Sequence, residues 1–233
     1  MTDLSPQPKV LVKAEVRRRS RHRMAVLAAA VAFVAFLLLK PPFVVRPLPG
    51  SGASESRLGP EQSAAAKFVE PIWASKVMPA IEGKAEDIAT VLPEIRANPE
   101  AAGQKHGRRE ATNPYNYIVK GTGKVVEVNT QSQAGTAIVE IPGLDEKIAL
   151  QIGPVVRGTS VRDATGEVSF NQFTNQLDYA DVAKEMNARA LKAAVGKVSP
   201  ASLAGKTITF LGVFTFDPRA KPPLLITPVR IDL

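Results

Sequence analysis

The stretch Gly153-Pro154-Val155-Val156-Arg157-Gly158-Thr159-Ser160-Val161-Arg162-Asp163 concentrates the chemistry this sequence could perform. Arg157 and Arg162 near Asp163 could form a fork for a carboxylate or phosphate, because guanidinium groups match both anions with paired N–H donors. Thr159 adds a hydroxyl between them. The same side chains could instead form an Arg–Asp network that ties the excursion to the rest of the domain. Just beyond it, Asn171, Asn175 and Gln176 stand beside Phe170 and Phe173. Amides next to aromatic rings suit saccharide hydroxyls, and they equally suit the capping of a loop and of a following helix. Arg157, Thr159, Arg162, Asp163, Asn171, Asn175 and Gln176 are therefore the candidate ligand- or partner-binding residues.

Other chemistries find little support. The chain has no cysteine and two histidines, which excludes thiolate and Cys-metal chemistry and disfavours a His-based metal site or triad. No metal and no cofactor is expected, and no residue is assigned as catalytic. The acid pairs Glu82/Glu86 and Asp178/Asp181 fall on helix faces or at helix starts, where carboxylates favour the dipole. His106 lies in a basic, Gly-flanked loop and is expected to be solvated. Gly121-x-Gly123 lacks the third glycine of a dinucleotide loop, and there is no Gly-Lys-Ser/Thr loop and no Gly-x-Ser-x-Gly elbow. The expectation is a non-enzymatic binding module. The competing readings are an enzyme acting on sugars or sugar phosphates, with Asp163 as base and the arginines as anion clamp, and a purely structural scaffold. Trp73, the one tryptophan, could stack a sugar or a base, or anchor a helix in the core.

The elements that must position these residues read as an α+β domain. Phe68, Val69, Ile72, Trp73 and Val77 recur at helical spacing, with Pro71 inside the run and Pro79 at its end. A second helix is predicted over 84–97 with Ile88, Leu92 and Ile95 on one face, where Pro93 threatens a break. Asn98-Pro99 reads as an N-cap and first helical position, and Gly107 as a terminator. Strands are predicted over 117–129, 136–141 and 147–152, the first bent by Gly121 and Gly123. A short strand or turn is expected over 167–170. A helix follows over 179–195 with Asp178 as its cap, then strands over 206–216 and 224–231. Three strands, a helix and two strands is the order of an OB-fold, a five-stranded Greek-key barrel.

Charge locates the remaining feature. Residues 1–46 hold nine of the 30 Lys and Arg residues and two of the 22 acids, so the net charge of +8 sits almost wholly there. The rest of the chain is near neutral, and nucleic acid is not an expected partner. Residues 24–39 carry no charge and follow a basic run. An uncleaved transmembrane signal anchor fits this pattern, with the N-terminus cytoplasmic and the domain outside. A cleaved signal peptide ending near Ser51-Gly52-Ala53 and a buried core helix are the alternatives. The expected division is a cytoplasmic tail over 1–23, an anchor over 24–45, a linker over 46–62, a helical segment over 63–107 and a barrel domain over 115–233.

Several stretches stand in a telling order: Lys67-Phe68-Val69-Glu70-Pro71-Ile72-Trp73, Gly121-Thr122-Gly123-Lys124-Val125, residues 153–163, residues 170–176, and Ile226-Thr227-Pro228-Val229. Over about residues 60–231 the chain resembles a bacterial family of predicted periplasmic lipoproteins of unknown function. The resemblance implies an extracytoplasmic location, and the anchor reading places it at the inner membrane. It also implies genes beside those of sugar-type ABC importers, and so transporter components or a small saccharide as partners. The lipoprotein cysteine is missing here, so a protein anchor would stand in for the lipid.

Overall fold

The computed structural model describes residues 63–233, Lys197 excepted. The basic tail, the apolar stretch 24–39 and the linker lie outside the described residues. No helix among the described residues is long and apolar enough to cross a membrane.

Six strands form one sheet: β1 (Glu86–Asp87), β2 (Asn116–Asn129), β3 (Thr136–Glu140), β4 (Ile148–Gln151), β5 (Thr207–Thr215) and β6 (Leu224–Asp232). Their order is β1-β2-β3-β4-β6-β5, and pairing of β5 with β2 closes the last five into a barrel. β4 and β6 run parallel, and the other barrel pairs are antiparallel. This is the OB-fold topology, with the helical connection between the third and fourth barrel strands.

Closure depends on β2, which serves two partners. Its first part, Asn116 to Lys124, pairs with β5, and Lys124 to Asn129 pair with β3. Between them the strand turns a corner, with a register shift between Val125 and Glu127. A bulge of this kind bends the strand and deepens its twist. Gly123 sits at the corner, where a Cβ would lie 2.4 Å from the carbonyl oxygen of Glu140. The expected bend is therefore present, and its cause is the close approach of β3.

Side chains divide between two cores. Tyr117, Val119, Val139, Leu150, Phe210 and Phe214 point into the barrel, while Ile118, Leu211, Val213 and Val229 pack in a second cluster on its outside. The helices are α1 (Ala64–Ile72), α2 (Met78–Lys84), α3 (Ile88–Ala97), α4 (Pro99–His106), α5 (Ser160–Thr165) and α6 (Gln176–Val195) in chain order; α3 and α4 join the inner core, and α1, α2, α5 and α6 cover the outer one. Val182, Met186 and Ala190 of α6 recur every four residues and form its buried stripe. Trp73 packs half-buried at the edge of the outer core, which is the anchoring role.

Several expectations are corrected. Pro79 does not end the first helix: a π-helical turn over Trp73–Val77 passes into α2, with Pro79 in that helix's first turn, where a missing N–H is tolerated. The second helix starts at Ile88, not 84, because Glu86 and Asp87 pair with β2 and the Asp87 side chain caps Ala89. Pro93 does not break it. An interior proline costs about 3 kcal/mol, but Ile88, Val91, Leu92 and Ile95 are all buried, at roughly 1.5–3 kcal/mol each. Residues 167–170 form no strand, and a 3-10 turn spans Phe170–Gln172. Helix α5 has no counterpart among the predicted elements, since six residues are too short for a periodic signal. The cap of α6 is Asn175 and not Asp178: the Asn175 Oδ1 accepts from the Asp178 N–H at 2.9 Å.

Tyr117 yields a first prediction. Its ring stacks on Phe214 with centroids 5.1 Å apart, yet its buried hydroxyl has no hydrogen-bond partner among the described residues. Burial pushes the phenol from 10.0 up to about 12. A raised acid pKa means full stability below pH 10 and a loss as pH rises towards 12. Tyr117→Phe is expected to raise stability by about 1 kcal/mol and to flatten the alkaline fall. Denaturant titrations at pH 7 and across the alkaline range check both.

Candidate functional site

The loop after β4 is held from beneath by two buried amides. Gln151, 4% exposed, ends β4. Its Oε1 accepts from the Arg157 N–H at 2.7 Å, and its Nε2 donates to the Arg157 carbonyl at 3.1 Å and to Thr227 Oγ1 at 2.8 Å. Asn187 of α6, 6% exposed, donates from Nδ2 to the Gly158 carbonyl at 2.9 Å. Gly153 opens the loop where it crosses the β2–β3 connection. A Cβ there would lie 2.2 Å from the Gly135 nitrogen and 2.3 Å from the Gln133 carbonyl oxygen. Gly158 closes this part at φ +87°, a left-handed conformation that suits glycine. The backbone of residues 157 and 158 is thus fixed on both sides.

The next residues form a separate, self-contained brace. Arg162 Nε donates to Asp163 Oδ1 at 2.7 Å, and Nη1 donates to the Tyr179 carbonyl at 2.8 Å. The guanidinium lies 3.4 Å from the Tyr179 ring centroid, a cation–π contact that fixes its plane. The Thr159 hydroxyl donates to Asp163 Oδ2 at 2.6 Å, and the Tyr179 hydroxyl reaches Asp163 Oδ1 at 3.5 Å. Burial raises the Tyr179 phenol above its ordinary range, so this hydroxyl stays a donor. Arg162 is itself 7% exposed. The cluster therefore clamps α5 to the start of α6.

The sequence candidates separate accordingly. Thr159, Arg162 and Asp163 come together in the brace. Asn175 caps α6, and its Nδ2 also donates to Asp178 Oδ2 at 2.9 Å. Asn171 is exposed on the 3-10 turn, and Gln176 is exposed at the first position of α6. Arg157 stands apart: its side chain makes no hydrogen bond or ion pair among the described residues. It lines a groove of about 360 Å³ on the outer face of β3 and β4.

That groove has an apolar floor of Ile138, Ala149, Leu224 and Leu225. The β5–β6 connection forms one wall with Asp217, Lys221 and Pro223, and Arg96 of α3 forms another part of the rim. Arg96 is occupied: Nε and Nη2 each donate to a Glu146 oxygen at 2.7 Å, and the guanidinium lies 5.2 Å from the Phe216 centroid. Asp217 is occupied too, since Arg219 donates to it from backbone and side chain and holds its carboxyl below the usual range. The unengaged polar groups are Arg157, Lys221 and the Thr136 hydroxyl. Two other depressions are differently built. One of about 550 Å³ beside the β3–β4 turn has mixed charges, with Lys147 on Glu140. One of about 250 Å³ is lined by Lys84, His106 and Arg108. His106 is not solvated as expected: its side chain is 7% exposed, with Nδ1 2.6 Å from Glu86 and Nε2 2.9 Å from Glu94.

Gln151, Asn187 and the groove residues Thr136, Ile138 and Lys221 went unnoticed in the sequence. Gln151 offers no motif, because its role depends on a strand end meeting a loop. The one usable signal was the glycine pair around Arg157, which marks a constrained backbone. Gln151→Ala is expected to cost about 2 kcal/mol, since it strips the part-buried Arg157 carbonyl and N–H and the buried Thr227 hydroxyl of their partner. Denaturant unfolding measures the loss, and one under about 0.5 kcal/mol would count against the clamp.

An OB-fold protein from Thermotoga maritima, known from its crystal structure, matches with a TM-score of 0.59 at 22% identity, over 73% of this chain and 98% of that one. At this identity the likeness speaks for the fold alone. No curated protein matches the chain. The family described as "Predicted periplasmic lipoprotein" (DUF2291) matches over residues 32–232, and the chain belongs to that family.

Proposed function

We propose that the chain is a non-enzymatic binding or accessory module on the periplasmic side of the inner membrane, anchored by residues 24–45. We further propose that it serves ABC-type sugar uptake through the β3–β4 groove. The observation that carries this reading is Arg157: Gln151 holds its backbone N–H and carbonyl and Asn187 holds the carbonyl of the next residue, while its side chain meets no partner among the described residues. A fixed backbone under an unengaged cation lowers the ordering penalty when a partner docks. The OB barrel supports the choice of face, because barrels of this topology commonly bind at their second and third strands and the loop joining the fourth and fifth. Here those are β3, β4 and the β5–β6 connection. The engagement of Asp163 by Thr159, Arg162 and Tyr179 speaks against its use as a free base. The importer association rests on the family resemblance.

The test is partner capture. The full-length chain, tagged at its C-terminus in its own host, is purified from membranes in mild detergent. A permease or substrate-binding protein is expected at near-stoichiometric amounts, and Ile138→Trp, which fills the groove, is expected to lose it. A clean preparation, equal capture by the filled variant, or turnover of a sugar or sugar phosphate by the purified chain would overturn the reading.

A further inference from the structure

We infer that the groove takes a ligand bearing a carboxylate or phosphate on a small apolar body. This rests on the groove being the binding seat, and it adds the chemical class. Removing the groups already engaged leaves a one-sided set. Arg96 is neutralised by Glu146, and Asp217 by Arg219. What remains is the Arg157 guanidinium, the Lys221 ammonium and the Thr136 hydroxyl. The two cations are donors only, and the hydroxyl can donate. The Asp217 carboxylate on the wall is paired with Arg219, so an anion entering the groove meets a net of two positive charges from Arg157 and Lys221. The same set offers a neutral ligand's donors only the hydroxyl as a side-chain acceptor.

The floor sets the rest of the ligand. Ile138, Ala149, Leu224 and Leu225 present aliphatic carbon, and a volume of about 360 Å³ lies at the small end of ligand sites. The ligand is therefore compact, with an apolar face against the sheet and an acidic group at the Arg157–Lys221 rim. Arg157 can hold either anion through two parallel N–H donors, while Lys221 acts as a point charge. The Gln151 clamp makes the arginine the principal contact, because its backbone is already fixed.

The experiment titrates full-length protein in mild detergent with phenyl phosphate, benzoate and the neutral isostere benzamide, followed by calorimetry. Both anions are expected to bind at least tenfold more tightly than benzamide. Arg157→Gln is expected to remove that preference, a loss of tenfold or more. The tighter of the two anions identifies phosphate or carboxylate as the native group. Equal binding of benzamide and benzoate, an unchanged Arg157→Gln variant, or no binding of either anion overturns the anionic class. The filled variant Ile138→Trp separates this from the groove itself. If it loses every probe while charge makes no difference, the seat stands and its chemistry falls. If it retains them, the seat is wrong.

Discussion

Arg162→Ala is expected to lower the unfolding free energy by about 3 kcal/mol, the largest single effect among the polar residues. The guanidinium is buried between Asp163, the Tyr179 carbonyl and the Tyr179 ring. Truncation removes the second donor from that helical carbonyl and strips Asp163 of its cation, while Thr159 still donates to it. Asp163 keeps 25% of its side-chain surface, so water offsets part of the loss and the figure stays at the lower end for a broken buried pair. Coupling is the sharper check. In a double-mutant cycle with Asp163→Ala, the pair should show an interaction of more than about 1 kcal/mol. Additive losses would mean that the two side chains act independently and that no brace exists. Probe binding in the groove should change little in Arg162→Ala, because Arg157 is fixed by Gln151 and Asn187 instead.

Gly153→Ala is expected to cost about 2–3 kcal/mol and to weaken anion binding as well. The added methyl would meet two backbone atoms, the Gly135 nitrogen at 2.2 Å and the Gln133 carbonyl oxygen at 2.3 Å. Backbone cannot rotate out of the way as a side chain can. The crossing is also bonded, with the Ile152 and Gly153 N–H groups donating to the Gly135 carbonyl at 2.9 and 3.1 Å and Val155 N–H to Gln133 at 3.0 Å. Relief therefore requires the two loops to part, which moves the backbone that carries Arg157. Unfolding and phenyl phosphate titration of the same variant test the two halves. A variant with wild-type stability would show that the loops yield freely, and the fixed position of Arg157 would then lose its basis.

These effects could not be ranked from the chain alone, although much of the architecture could. Alternation over 117–129, 147–152 and 206–216 and the helical stripe over 183–194 gave the element order, because local burial periodicity is written residue by residue. That order was enough for the OB barrel. Boundaries failed where a tertiary partner competes with local pattern: Glu86 and Asp87 join β2 instead of a helix, and Asn175 takes the cap that Asp178 seemed to hold. His106 failed for the same reason, since the two carboxylates that hold it lie 12 and 20 residues away.

By itself the sequence determined the barrel class, the neutral character of the domain and the absence of cysteine chemistry, and it singled out residues 153–163 as candidates. Composition, period and glycine placement are local properties and survive reading in one dimension. Only the tertiary structure decided that this stretch does two jobs. Arg162 and Asp163 close on Thr159 and Tyr179, while Arg157, five residues before Arg162, is turned out over β3 and β4 by Gln151. Whether an arginine meets a carboxylate or faces a groove depends on which loop crosses beneath it, and spacing along the chain does not carry that information.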